Sequence, residues 1–214
     1  MDQVLVYGDS LTWGIVPGTR KRLEFERRWP QVLERELAGR GVHVRIVEDC
    51  LNGRRTVWDD PFKAGRNGLT GLEQRMEVNA PLSLVVLMLG ANDFQSVHQN
   101  TAWHSSQGVA SLVRAIRRAP IEPGMPVPRV LVVAPPPIQT PAGEMTEKFA
   151  GAQHRCVGMS DALQRVAAEL DCPFVDAGRF IHTSPTDGVH LDGDQHEILG
   201  RALVPIVSDL LRRG

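Results

Sequence analysis

The chain alternates between short apolar runs and longer segments in which apolar residues recur at helical spacing. The runs occupy residues 4–7, 42–47, 84–89, 130–134 and 174–175 and are rich in Val, Ile and Leu. Runs of this length that are apolar on both faces are typical of strands buried inside a parallel sheet. The pattern therefore predicts five parallel strands.

Helical spacing is clearest over residues 29–37 and 109–116, which lie between predicted strands. A broad apolar stripe also runs from residue 192 onward and predicts a closing helix, in which Pro205 predicts a kink or an interruption. Alternating strands and helices indicate an α/β fold of three layers around a doubly wound parallel sheet. Because ligands of such sheets bind beyond the carboxyl ends of the strands, the loops at that edge are where a site is expected.

Length and charge narrow the possible functions. The 214 residues are predicted to form one domain, and the formal net charge of −1 argues against binding to nucleic acids or to anionic membranes. Residues 1–10 contain no basic segment followed by a long apolar one, so we expect a cytoplasmic protein. The three cysteines share no metal-ligand spacing and are predicted to be ordinary thiols.

A candidate nucleophile follows the first predicted strand. Residues 8–14 read Gly-Asp-Ser-Leu-Thr-Trp-Gly, and the two glycines permit a tight turn that places Ser10 at the carboxyl edge of the sheet. The stretch lacks the Gly-x-Ser-x-Gly pattern of a nucleophile elbow. A serine that merely caps a helix would fit the same residues, so this stretch alone leaves both interpretations open.

A candidate base lies near the end of the chain. Asp187 and His190 are three residues apart, and a neutral imidazole oriented by a carboxylate is what a serine hydroxyl needs to become a nucleophile. His182 and His196 are alternative bases, and a surface turn would also explain the Asp187–His190 spacing.

Two further loops offer hydrogen-bond donors to a developing oxyanion. Asn92 follows the most apolar strand and carries an amide, while Gly53 follows the second strand and exposes a backbone N–H without a side chain. Each is a plausible turn when taken singly. Their joint placement after successive strands favours one shared site.

Together these motifs resemble those of the GDSL esterases, also called SGNH hydrolases. The matching segments are Gly-Asp-Ser-Leu at residues 8–11, the glycine at Gly53, Gly-x-Asn-Asp at residues 90–93 and Asp-x-x-His at residues 187–190. The longer matches at residues 8–14 and 133–137 are similar to the bacterial arylesterase and acyltransferase subgroup.

The resemblance implies a flavodoxin-like fold and a serine esterase that acts on small carboxylic esters, with short-acyl or aryl groups. It implies Ser10 as nucleophile, His190 as base and Asp187 as its partner, with an oxyanion hole of Ser10, Gly53 and Asn92. Water, or an alcohol in an acyltransferase reaction, would then release the acyl group. No metal or organic cofactor is expected. Members of the subgroup often assemble into oligomers, so a homo-oligomer is expected, with residues 135–152 as a candidate contact.

Several interpretations stay open. Trp13 is a candidate substrate-binding residue, although a core position fits it equally well. Asp9 and Asp93 are predicted to organise loops rather than to catalyse, and Arg54 and Arg55 to be solvated or salt-bridged. Carbohydrate deacetylation and thioester hydrolysis are alternatives within the same chemistry. A flavodoxin-like nucleotide-binding module, with phosphate held at the Ser10 loop, is the alternative from a different class.

Overall fold

The protein is built on five parallel strands that form one sheet. In a computed structural model, which describes residues 1–212, the strand order is β2-β1-β3-β4-β5, with neighbours in parallel register. Residues 213 and 214, the last two of the predicted domain, lie outside the described residues. The strands are β1 (Asp2–Gly8), β2 (Val44–Cys50), β3 (Leu84–Met88), β4 (Arg129–Ala134) and β5 (Phe174–Asp176). The prediction of a five-stranded parallel sheet is confirmed.

Helices cover both faces of this sheet. They are α1 (Ser10–Trp13), α2 (Trp29–Ala38), α3 (Leu72–Asn79), α4 (Ala102–Arg118), α5 (Met145–Lys148), α6 (Ala152–Arg155), α7 (Met159–Glu169) and α8 (Gly193–Arg212). Side chains of α2 and α8 share one apolar core with the sheet, and those of α3, α4 and α7 share the other. The predicted three-layer α/β architecture is thus confirmed.

The alternation of side chains along β1 explains why both cores form. Val4 and Val6 point into the core with α2 and α8, whereas Leu5 and Tyr7 point into the core with α3, α4 and α7. All four side chains are at most 1% exposed. A strand that is apolar at every position can be accommodated only between two layers of helices.

The closing helix α8 packs closely on α2. A Cβ at Gly200 would lie 2.6 Å from Cβ of Val32 and 2.7 Å from the carbonyl oxygen of Trp29, so no larger residue fits there without movement. The helix runs unbroken through Pro205, and the predicted interruption is wrong. The Pro205 ring faces solvent while its neighbours Leu203 and Val204 are fully buried, so packing holds the helix together despite the missing N–H.

The predicted and observed elements differ mainly where polar residues lie inside them. Strand β2 begins two residues later than the apolar run and extends to Cys50, because Glu48 is held by ion pairs to Arg22 and Arg28, each 3.0 Å long. Residues 135–152, predicted to be a loop, contain the short helix α5 and the start of α6.

Within residues 1–212, none of the helices has both the length and the apolar character that crossing a membrane requires.

Candidate active site

Three loops at the carboxyl edge of the sheet bring the predicted site residues together. Ser10 directly follows β1, Gly53 follows β2 and Asn92 follows β3. Because β1 lies between β2 and β3 in the sheet, the loops that follow these three strands meet around the end of β1. All three residues line one cavity together with His190.

A short helix holds Ser10 at this edge. The Oδ1 atom of Asp9 accepts a hydrogen bond of 2.9 Å from the N–H of Leu11 and so caps α1. Gly14 ends the helix in the left-handed region, with φ of 86°. The turn is tight at Gly8, where a Cβ would lie 2.5 Å from Oγ1 of Thr12. Ser10 therefore does begin a helix, as the capping interpretation requires, but the cap itself is Asp9.

His190 lies between Ser10 and Asp187. Its Nε2 atom is 3.2 Å from Oγ of Ser10, and its Nδ1 atom is 2.7 Å from Oδ2 of Asp187. The other carboxylate oxygen of Asp187 accepts hydrogen bonds from the N–H groups of Val189 and His190, each 2.9 Å long. Residues separated by 180 positions in the sequence are thus joined in one hydrogen-bonded chain.

The ionisation of Asp187 fixes the tautomer of this imidazole. Burial alone would raise the pKa of Asp187, but hydrogen bonds from the side chain and backbone of His190, together with its charge, lower the pKa to about 2. An ionised carboxylate only accepts hydrogen bonds, so Nδ1 of His190 carries the proton. The lone pair of Nε2 in the neutral ring then faces the hydroxyl of Ser10.

The two alternative bases lie elsewhere. Nδ1 of His196 is 3.3 Å from the backbone N of Trp29 and accepts its hydrogen bond inside the contact between α8 and α2. Burial, followed by the charges of Arg28 and Arg27, lowers the pKa of His196 to about 4. His182 is exposed, and its Nδ1 contacts the carbonyl oxygen of Thr183. Neither imidazole is paired with Ser10.

Three N–H donors remain available beside the hydroxyl of Ser10. In the part of the chain that the structure describes, the backbone N–H groups of Ser10 and Gly53 donate to no protein acceptor. Gly53 adopts φ of 82°, a conformation that strains other residues. One N–H of the Asn92 side chain donates to Oδ2 of Asp9 at 2.9 Å, which leaves its second N–H available.

A buried polar chain orients the amide of Asn92. Its Oδ1 accepts a hydrogen bond of 2.8 Å from Nε2 of Gln95, and Oε1 of Gln95 accepts one from Arg55. Arg55 is fully buried and pairs with Asp60 at 2.8 Å. Sequence reasoning missed Gln95. Gln95 lies three residues after Asn92, at the end of a helical turn, and this spacing is the signal that could have identified it as a partner of Asn92.

Asp9 and Asp93 organise loops, as the sequence predicts. Asp93 joins the β2 and β3 loops because it accepts hydrogen bonds from the backbone and hydroxyl of Thr56, at 2.9 and 2.7 Å, and from Ser105 at 2.8 Å. Burial raises the pKa of Asp9 and of Asp93 to about 6, despite the donors that surround each carboxylate. Arg54 is buried against the ring of Tyr7 and pairs with Asp49 at 2.7 Å, so it is salt-bridged rather than solvated.

The structure does not bring Trp13 to the cavity. The guanidinium of Arg22 covers the Trp13 ring at 4.6 Å from its centroid, and Trp13 is not among the residues that line the cavity. The cavity at Ser10 has a volume of about 50 Å³, and Ile15, Met145 and Phe149 form its apolar wall. The prediction that Trp13 contacts substrate is therefore not supported by its placement, because its ring packs against Arg22 instead of lining this cavity.

A second cavity lies on the other side of His190. It measures about 170 Å³ and shares Ile15, Arg20, Met145 and His190 with the first cavity, but Thr186 and residues 142–144 replace the three donors. Among residues 1–212, no group of three or more His, Cys, Asp or Glu side chains is arranged to hold a metal ion. The imidazole thus stands between a small space with donors and a larger space without them.

Comparison with known families and structures gives a consistent picture. Residues 6–198 match the model of the GDSL-like lipase/acylhydrolase family. A carbohydrate acetylesterase family member from Sinorhizobium meliloti is 37% identical with a TM-score of 0.93, covering 99% of this chain and 100% of that one. The inhibitor-bound aryl esterase of M. smegmatis is 31% identical with a TM-score of 0.92, covering 98% and 100%.

A third solved structure, classed as an arylesterase from Agrobacterium tumefaciens str. C58, is 39% identical with a TM-score of 0.89 and covers 98% of this chain and 100% of that one. No curated protein matches the sequence significantly. The similarity therefore extends over essentially the whole chain and includes two kinds of esterase.

Proposed function

The chain belongs to the GDSL-like lipase/acylhydrolase family and is a carboxylic ester hydrolase, and we propose that it hydrolyses short-acyl or aryl esters through an acyl-enzyme on Ser10. The observation that carries this proposal is the hydrogen-bonded chain from Ser10 through His190 to Asp187. Three N–H donors line the same cavity. This combination is what acyl transfer by a serine requires.

The reaction begins when Oγ of Ser10 attacks the ester carbonyl while Nε2 of His190 takes the hydroxyl proton. The carbonyl oxygen becomes negatively charged and accepts hydrogen bonds from Ser10, Gly53 and Asn92. The imidazolium that forms is stabilised by Asp187 and returns its proton to the departing alcohol. Water then attacks the acyl-enzyme with His190 as base, which restores the serine hydroxyl.

The two cavities suggest where each part of the ester lies. The acyl carbonyl must face the three donors, which line only the 50 Å³ cavity, whereas the departing alcohol must face His190, which also borders the 170 Å³ cavity. We place the acyl group in the smaller space and the alcohol in the larger one. Short acyl groups and bulkier alcohols are the substrates that this division favours.

Carbohydrate acetylesterase activity is a second candidate. The S. meliloti neighbour carries that description, and Oδ1 of Asn52, which lines the small cavity, is buried with no hydrogen-bond partner among residues 1–212. An unpaired buried acceptor favours a substrate hydroxyl nearby.

Transfer of the acyl group to an alcohol instead of water would need only a different second nucleophile. Product analysis in water–alcohol mixtures would detect this acyltransferase activity.

The nucleotide-binding alternative has no support in this site. The Ser10 hydroxyl faces the imidazole of His190, and α1 spans only four residues.

A Ser10→Ala variant tests the proposal directly. Removal of the nucleophile is expected to lower kcat for 4-nitrophenyl acetate by roughly a millionfold. A fluorophosphonate probe should label Ser10 of the parent protein and leave the variant unlabelled, as read by mass spectrometry. Ser111→Ala, on α4 far from the cavity, is the matched control. Retained turnover in Ser10→Ala would remove the nucleophile assignment.

A further inference from the structure

Three cationic side chains line the cavity that contains Ser10. Arg20, Lys63 and Lys148 come from the loop after α1, the loop after β2 and helix α5. They are far apart in the sequence, so the fold gathers them at one place. All three are exposed at the rim, whereas Ser10 and His190 are buried below them.

These cations have no carboxylate partner. Within residues 1–212, no ion pair joins Arg20, Lys63 or Lys148 to an Asp or Glu side chain. Five other arginines do have carboxylate partners. They form ion pairs with Glu48, Asp49 or Asp60 at distances of 2.7–3.0 Å.

The acidic groups nearby do not neutralise this rim. Asp60 lines the same cavity, but Arg55 lies 2.8 Å from its Oδ2, and the N–H groups of Phe62 and Lys63 donate to its Oδ1. Glu144 and Glu147 border a neighbouring groove with Lys63 and Lys148 but form no ion pair with either. The rim facing Ser10 therefore carries uncompensated positive charge.

The three cations line one small cavity, so their charges act on the same space. The pKa of Lys148 lies below its ordinary value, chiefly because neighbouring atoms displace its water and next because Arg55 repels it. Asp60 opposes this effect, while Arg20 and Lys63 add to the repulsion. Like charges held together disfavour one another, and a bound anion would relieve that repulsion.

We propose that the esters for which this site is built carry a carboxylate that binds Arg20, Lys63 and Lys148 while the carbonyl is at Ser10. The inference rests on the proposed esterase function and specifies its substrate class. The anion can belong to the acyl part or to the alcohol part of the ester, since Arg20 borders both cavities.

Two pairs of isosteric esters test the inference and identify the part that carries the charge. Ethyl hydrogen succinate against ethyl succinamate places the carboxylate on the acyl side. 4-Acetoxybenzoate against 4-acetoxybenzamide places it on the alcohol side. In at least one pair, kcat/KM of the anionic ester should exceed that of its neutral amide by about tenfold or more, the effect of one well-placed charge pair near a protein surface.

Charge removal provides the second readout. In the triple variant Arg20→Gln, Lys63→Gln and Lys148→Gln, the ratio of anionic to neutral kcat/KM should fall to about one. The ratio cancels any general loss of activity or stability. Arg114→Gln, an exposed cation on α4, should leave the ratio unchanged. Raising NaCl from about 0.02 to 0.5 M should lower the ratio in the parent protein, because salt screens exposed charges.

The outcomes separate this inference from the function on which it rests. Hydrolysis of the neutral esters without preference for an anionic one, or a preference that survives in the triple variant, overturns the inference and leaves the esterase function standing. Failure to hydrolyse any of the four esters and 4-nitrophenyl acetate overturns both.

Discussion

Two buried aspartates that flank the site have pKa values shifted in opposite directions. Asp9 precedes the nucleophile and is 1% exposed, and Asp187 precedes the base and is 5% exposed. The pKa of Asp9 is raised to about 6, first by burial, whereas the pKa of Asp187 is lowered to about 2 because hydrogen bonds and charge from His190 outweigh burial. The deeper burial of Asp9 and the stronger donors around Asp187 together explain the difference.

Asp9 accepts from one backbone N–H and one neutral amide, while Asp187 accepts from two backbone N–H groups and from an imidazole that can become a cation. The same residue type thus has a different environment and a different protonation behaviour at each of the two positions. In the proposed mechanism Asp187 stays charged to orient and stabilise His190, and Asp9 holds the amide of Asn92 in place.

The largest effect is expected from replacing Asp187, the aspartate with the lowered pKa. Asp187→Asn keeps the shape but replaces an acceptor with an amide, which allows the wrong tautomer of His190, and kcat should fall by about 10⁴-fold. Asp176→Asn is the matched control, because Asp176 caps a different strand-end loop through Gly178. A loss of less than tenfold in Asp187→Asn would contradict the role assigned to Asp187.

The next largest effect is expected from removing the side chain of Asn92, which Asp9 holds by a hydrogen bond. Asn92→Ala deletes an oxyanion donor and should lower kcat by about 10²- to 10³-fold with a smaller change in KM. Steady-state kinetics with 4-nitrophenyl acetate measure both constants. Asn79→Ala, at the end of α3, should change neither. A change confined to KM would indicate a binding role for Asn92 instead.

The smallest effect is expected from replacing Asp9, and it concerns the pH dependence of the free energy of unfolding. The folded pKa of about 6 lies above that of an unfolded Asp, so the folded protein binds the proton more tightly. The stability contributed by Asp9 is therefore greatest below about pH 4 and falls as the pH rises to about 6. In Asp9→Asn this dependence disappears.

Denaturant unfolding of both proteins at pH 4 and pH 7 measures the change. The free energy of unfolding of the parent, relative to that of Asp9→Asn, should decrease by about 2 kcal/mol between these values. Asp93, which has a similarly raised pKa, is present in both proteins and cancels. Parallel pH profiles would show that the Asp9 carboxyl does not titrate in this range.

The sequence predicts the sheet, and the residues that the fold brings together at its edge, because their signals are local. Uniformly apolar runs identify the strands, and four short motifs at strand ends identify Ser10, Gly53, Asn92 and the pair Asp187 and His190. The weakly amphipathic helix α3 has only Leu72 and Met76 buried, so its pattern gives little signal.

Other features depend on distant parts of the chain. The ring of Trp13 is covered by Arg22, helix α8 packs against α2 and continues through Pro205, and the cationic rim is assembled from three separate segments. No local pattern contains that information. Sequence reasoning therefore finds the chemistry and misses the walls of the cavity that select the substrate.

The long separation between Ser10 and His190 has a consequence for synthesis of the protein. The serine is synthesised before the imidazole that pairs with it, because 180 positions separate the two residues. His190 lies just before α8, whose contact with α2 includes the hydrogen bond between His196 and Trp29. A nascent chain that does not yet reach His190 therefore contains the serine hydroxyl without the partner that the folded protein gives it.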